Sequence, residues 1–190
     1  MNIKQYKCLT CKSADIPPQM VKDVGFNVCP ICGNLYPITI EYITNYFRII
    51  ALKKELYKAK DLLLKAEMDA AVREAIITFE TVVKKKSGLD ELLGANLMAE
   101  AFNFKIDQKT KVIIEAPKIA VNDLSSLSKR NEQEGIKLMT MGFMQGIRNV
   151  YMHTKGAERL YYALLLISMV DLFLKQVDGR ESIATCSDKK

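Results

Sequence analysis

Apolar residues recur in steps of three and four through the first half of the chain. Ile49, Leu52, Leu56, Ala59, Leu63, Ala66 and Ala70 form one such series, and Ala71, Ala75, Ile76, Phe79 and Val82 extend it. That period is the period of a helix with one apolar seam. Lys53, Lys54, Glu55, Lys58, Lys60 and Asp61 surround the early part of the seam. A seam this narrow could pack internally or against a second copy of the same helix, internal packing being the default. The pattern is expected to stop at Lys84-Lys85-Lys86-Ser87-Gly88. Cations suit the negative end of a helix dipole, and Gly can take a left-handed cap.

Leu89 to Phe102 reads as a short helix, and Asn103 to Ser128 as less regular chain. Lys111 to Glu115 fits a short strand or an extended segment, interrupted by Pro117. Ser128 is the expected N-cap of a helix of about twenty residues, with Ile136, Met139, Phe143, Ile147 and Val150 on its apolar side. The last helix is expected from Ala157 to Val177, followed by a polar tail. Residues 1–40 are different. They hold four of the five Cys and four of the five Pro, with little helical periodicity. The organisation read from these shifts is a small module at 1–40, a connecting helix at 41–60, a helical domain at 61–180 and a tail at 181–190. The fold class is mainly α.

Composition narrows the picture only modestly. With 49% hydrophobic and 26% charged residues, the chain reads as globular. The formal charge of +6 is compatible with an RNA or DNA partner and equally with a solvated basic surface. The N-terminal MNIKQYKCLTC is polar and reaches Cys8 without an apolar core, so no secretory signal is expected. The longest apolar run, Leu160 to Val170, is about half the ~20 residues of a membrane span and ends at Asp171. It reads as a buried helix, with no membrane partner. A cytoplasmic location, where thiols stay reduced, is therefore expected.

In that setting the cysteines gain meaning. Cys8 and Cys11 are two residues apart, as are Cys29 and Cys32, with seventeen residues between the pairs. Two Cys-x-x-Cys turns can present four thiolates to one tetrahedral Zn²⁺. Gly33 after the second pair allows a tight backbone approach. A redox pair would not explain two matched pairs, and the compartment disfavours disulfides. Four thiolates leave no open coordination position, so the expected metal is structural. It would supply folding energy to a segment poor in apolar groups. The segment resembles a zinc ribbon over residues 4–38. Cys186 lies far from either pair and reads as an unpaired thiol.

His153 is the only histidine in the chain, which excludes His-rich metal sites and any mechanism needing two His from one subunit. It closes the sequence Arg148-Asn149-Val150-Tyr151-Met152-His153, at the end of an amphipathic helix and just before Gly156. A bare Arg-x4-His is a weak pattern, but this placement strengthens it.

Arg-polar-x3-His at this place resembles the motif of the HEPN superfamily of nucleotide-binding and ribonuclease domains, and most closely an abortive-infection-like bacterial branch. Ala70 to Ala75 resembles that branch's first core helix. Gly94 to Phe102 resembles its next block, Asn131 to Gly135 with Gly146 to Asn149 its motif helix, and Glu158 to Asp178 its closing helix. Two departures stand out: Val150 replaces a Pro usual after the Arg-Asn pair, and Gly156 stands where some relatives carry a Tyr. The resemblance implies a HEPN-type helical bundle and a homodimer in which two motifs share one cleft. It further implies metal-independent RNA cleavage by 2′-OH attack. Arg148 would bind phosphate, His153 would move protons and Asn149 would support them. A toxin–antitoxin or phage-defence role, with an antitoxin or defence-system partner, is the biological setting implied. The alternative is a non-catalytic, dimeric nucleic-acid- or nucleotide-binding module. Arg148 and His153, five positions apart, turn through about 500° of ideal helix and so do not share a face. Either the helix ends between them or two subunits share the site.

Overall fold

The computed structural model describes residues 29, 32, 34–153 and 160–178. They are mainly helical: α1 (Pro37–Ile49), α2 (Tyr57–Leu64), α3 (Met68–Ser87), α4 (Gly94–Phe102), α5 (Leu127–Phe143), α6 (Asn149–His153) and α7 (Leu160–Val177). A 3₁₀ turn at Lys54–Leu56 leads into α2, and a π turn at Met144–Arg148 joins α5 to α6. Two short strands, β1 (Lys105–Ile106) and β2 (Ile113–Glu115), pair antiparallel with Lys105 opposite Glu115. The mainly α expectation holds.

The chain divides into two compact units. One comprises residues 1–75 and 156–168; the other comprises 76–155 and 169–190. In the first, the apolar seam does not run along one helix. Ala51 and Ala66 both adopt positive φ, 49° and 64°, which breaks the seam into α1, α2 and α3. Leu52, Leu56, Ala59 and Leu63 still reach the core, while Ile49 is 80% exposed. Burial of the leucines outweighs the modest strain of two left-handed alanines.

In the second unit, Phe79 of α3, Phe143 of α5 and Phe173 of α7 form the aromatic centre. Phe173 lies 5.5 Å from Phe79 and 5.4 Å from Phe143, the latter edge-on at 78°. The α3 ending follows expectation: Gly88 has φ +71° and its N–H donates to the Lys84 carbonyl at 2.8 Å. The next helix starts at Gly94 rather than Leu89, and the cap of α5 is Ser126, whose Oγ accepts the Lys129 N–H at 3.3 Å. Asp107 organises the hairpin turn by accepting the N–H groups of Lys109 (2.9 Å) and Thr110 (2.6 Å). These bonds, with that of the Thr110 hydroxyl, hold its carboxyl below the usual range, the Thr110 backbone donor being the largest cause.

By length and composition α7 could cross a membrane, yet 56% of it is buried within the protein, the state of a core helix. Its one acid, Asp171, is buried and pairs with Lys175 at 2.5 Å.

Candidate functional site

The Arg-Asn-x3-His segment begins in the π turn. Met144–Arg148 widen the helix by one residue per turn before α6 resumes at Asn149. Such insertions re-aim the side chains that follow and concentrate at functional positions. Gly142 precedes the distortion and Gly146 lies within it, each with nothing within 4 Å of where a Cβ would stand. The helix does not end between Arg148 and His153; it continues to His153. The two residues therefore remain about 140° apart around the axis. Asn149 is exposed. The side chain of His153, like residues 154–159, lies outside the described residues.

Arg148 points into the fold of its unit. Its side chain is 21% exposed, and its Nη2 lies 3.6 Å from Glu80 Oε2. Glu80, in α3, is buried. Its other carboxylate oxygen accepts the Gly94 N–H at 2.5 Å, at the first residue of α4. Leu93 offers no side-chain cap there, so a carboxylate from a different helix satisfies an amide that the local sequence leaves open. Gly94 has φ +56°, and a Cβ there would stand 3.9 Å from Arg148 Cδ. Arg148 Nε is buried with no hydrogen-bond partner among the described residues. The guanidinium is thus steered by Glu80 but not saturated.

Glu80 and Gly94 were not among the expected functional residues. A signal existed: Glu80 falls on the same helical stripe as Ile76 and Val83, an acid among core positions.

An open groove of about 350 Å³ lies beside this helix, lined by Leu138, Met139, Gly142, Ile147, Met169 and Leu172 among others. Met139, expected on the apolar side of its helix, is half exposed and forms part of the groove, as does Leu172. Met144, by contrast, is fully buried.

A family model described as Hypoth_Ymh, "Protein of unknown function (Hypoth_ymh)", matches residues 53–177. The chain belongs to that family. No curated protein and no solved structure matches the chain. The family's span takes in Glu80, Gly94, Arg148, Asn149 and His153, and leaves out α1 and the cysteine segment.

Of the four cysteines, Cys8 and Cys11 lie outside the described residues, as does Cys186. Cys29 is buried, and its N–H donates to the Asn34 carbonyl at 2.7 Å, which closes a turn around Cys32. Asn34 Nδ2 donates to Cys32 Sγ at 3.4 Å. A tight turn that aims an N–H at sulfur suits a thiolate ligand, so this half of the segment fits zinc chemistry. Among the described residues no group of three His, Cys, Asp or Glu side chains gathers as metal ligands.

Proposed function

We propose that the chain is a HEPN-type, homodimeric, metal-independent endoribonuclease, with Arg148, Asn149 and His153 as its working residues and a structural zinc ribbon held by Cys8, Cys11, Cys29 and Cys32. The observation that carries this reading is the Arg148 arrangement. A π turn delivers a guanidinium to a buried carboxylate that leaves one of its nitrogens without a partner. An unsaturated, pre-oriented guanidinium is suited to two phosphate oxygens.

In the proposed reaction the 2′-oxygen attacks the adjacent phosphorus while the bond to the 5′-oxygen breaks. A histidine takes the 2′-hydroxyl proton or supplies one to the leaving 5′-oxygen. The products are a 2′,3′-cyclic phosphate and a free 5′-hydroxyl. Arg148 offsets charge that builds on the phosphoryl oxygens. Each chain holds one His, so a second copy would provide the second proton carrier. The exposed apolar side chains Leu138, Met139, Val150 and Leu172, on elements next to the motif, support this dimer. A cytoplasmic, host-defence or toxin setting, with an antitoxin as partner, goes with this reading.

A second reading is a non-catalytic dimeric binding module for nucleotide or nucleic acid. The pairing of Arg148 with Glu80 favours it, because a guanidinium facing a carboxylate can still bind a phosphate through its unpartnered Nε but has less charge to offset what builds in a transition state.

The deciding experiment incubates purified wild type and His153→Ala with mixed RNA in EDTA and reads the fragments and their 3′ ends. Cleavage by wild type alone, with cyclic phosphate ends, is expected; cleavage that survives His153→Ala removes the catalytic assignment. Metal analysis should find about one zinc per chain, lost in Cys29→Ser. A clearly lower content in wild type defeats the ribbon.

A further inference from the structure

Cations and acids nearly cancel over residues 34–153 and 160–178, with nineteen Lys and Arg against seventeen Asp and Glu. A basic surface must therefore be local, and two stretches are: at Lys84–Lys86 the cations are partly spent, Lys84 on the Asp90 carbonyl and Lys86 on Asp178, which leaves the stretch at the end of α1. From Tyr42 to Lys54 there are three cations, Arg48, Lys53 and Lys54, and no acid; Glu41 and Glu55 bound it. The left-handed Ala51 folds the chain back at the end of α1, where the Leu52 N–H donates to the Phe47 carbonyl at 3.0 Å. That turn keeps Lys53 and Lys54 at the same end of the helix as Arg48. Three whole charges exceed the roughly half charge of a helix C-terminus.

Aromatic rings accompany these cations. Tyr42 and Tyr46 stack, with centroids 6.3 Å apart and planes 26° from parallel. The hydroxyl of Tyr46 is fixed by a 2.8 Å bond with Ser168, while Tyr42 is 57% exposed. One turn further on the same side of α1 stands the exposed Ile49. Tyr57, also exposed, carries Lys60 over its ring at 5.0 Å. Tyr42 offers an open ring face, and Arg48 stands about 9 Å further along the axis and about 120° around it, with Lys53 and Lys54 beyond the turn, so a strand passing from ring to cations would wrap the end of α1.

We propose that the 42–60 segment binds single-stranded nucleic acid, bases stacking on Tyr42 and phosphates meeting Arg48, Lys53 and Lys54. The preference for RNA rests on the ribonuclease reading above; the surface itself does not. Sequence-tolerant binding of this kind would hold a strand by ring faces and charge rather than by base edges.

The test uses the full-length protein and fluorescein-labelled 2′-O-methyl oligouridylate, which 2′-OH attack cannot cut. Oligothymidylate and a duplex of equal length accompany it, all read by anisotropy. Tyr42→Ala is expected to weaken single-strand binding about tenfold, with Tyr42→Phe close to wild type. Lys53→Glu with Lys54→Glu should weaken it further and flatten the salt dependence. Equal binding of oligouridylate and oligothymidylate supports the surface and removes the RNA restriction. Duplex binding as tight as single-strand binding overturns the proposal. So does a Tyr42→Ala protein that binds like wild type, a Tyr42→Phe loss as large as that of Tyr42→Ala, or no binding by wild type. Because the probe is uncleavable, loss of this binding and loss of cleavage by the His153 site are read separately.

Discussion

Two buried polar clusters in the second unit are finished to different degrees. Gln133 of α5 is fully buried and uses both ends of its amide. Its Nε2 donates to the carbonyls of Phe102 and Ile119, each at 2.9 Å, and its Oε1 accepts the Val121 N–H at 2.9 Å. It ties the end of α4 to the irregular segment before α5. The Glu80–Arg148 cluster has a hydrogen bond on one side only; on the other the charges stand 3.6 Å apart, and a guanidinium nitrogen is left over. A saturated network specifies structure, whereas an unsaturated one at a helical irregularity has capacity left for a ligand. The difference separates what holds this unit together from what it can do.

The largest effect should come from breaking the saturated cluster. Gln133→Leu keeps the volume but strands two carbonyls and one N–H in the interior. Urea unfolding should show a loss of about 4 kcal/mol, since each stranded group costs about 1–3 kcal/mol. A loss below 1 kcal/mol would mean that water or a shift of the 117–121 segment replaces the glutamine, and the contrast would fail.

The unsaturated cluster should yield less. Glu80→Gln can still accept the Gly94 N–H but loses its charge beside Arg148, so a loss of about 1.5 kcal/mol is expected. Combined with Arg148→Met in a double-mutant cycle, the coupling should stay below about 1 kcal/mol, as suits a pair separated by more than hydrogen-bond distance. Coupling of 2 kcal/mol or more would make the pair as complete a tie as Gln133 and favour a purely structural Arg148.

The two clusters also differ in how far the sequence reveals them. Periodicity shows the helices, and Gly88 after three lysines shows the end of α3, because these signals lie within one turn of the residues they govern. The Arg-Asn-x3-His spacing is equally local, which is why Arg148, Asn149 and His153 stand out. Glu80 serves an amide fourteen residues away, and Gln133 serves a carbonyl thirty-one residues away. No spacing rule reaches that far, although an acid or an amide on an apolar stripe marks the place. The break at Ala51 escapes the sequence for another reason: alanine favours helix, and tertiary burial of Leu52 overrides it.

The smallest effect belongs to the approach to α5, on which Gln133 sits. Lys129 Nζ donates to both oxygens of Asp123, at 2.9 and 2.7 Å, and the Ser125 N–H adds a third bond at 2.9 Å. Lys129 chiefly, then Ser125, hold the Asp123 carboxyl well below the ordinary 3.8. A folded pKa below the unfolded one means that the native state binds fewer protons as pH falls past the ordinary value. The contribution is thus present above the ordinary value and lost below it. The stability gap between wild type and Asp123→Asn should hold from about pH 7 to pH 5 and shrink from about pH 4 downward. Asp107 titrates in the same direction, but its partners are N–H and O–H groups of Lys109 and Thr110 and include no cation. High salt should therefore reduce the Asp123 gap and leave an Asp107→Asn gap nearly unchanged. Urea midpoints across pH at low and high salt measure both. A gap at Asp123 that is indifferent to acid would show that its carboxylate does not hold the loop, leaving the bonds of Asn122, Ser126 and Gln133 to set how this segment sits.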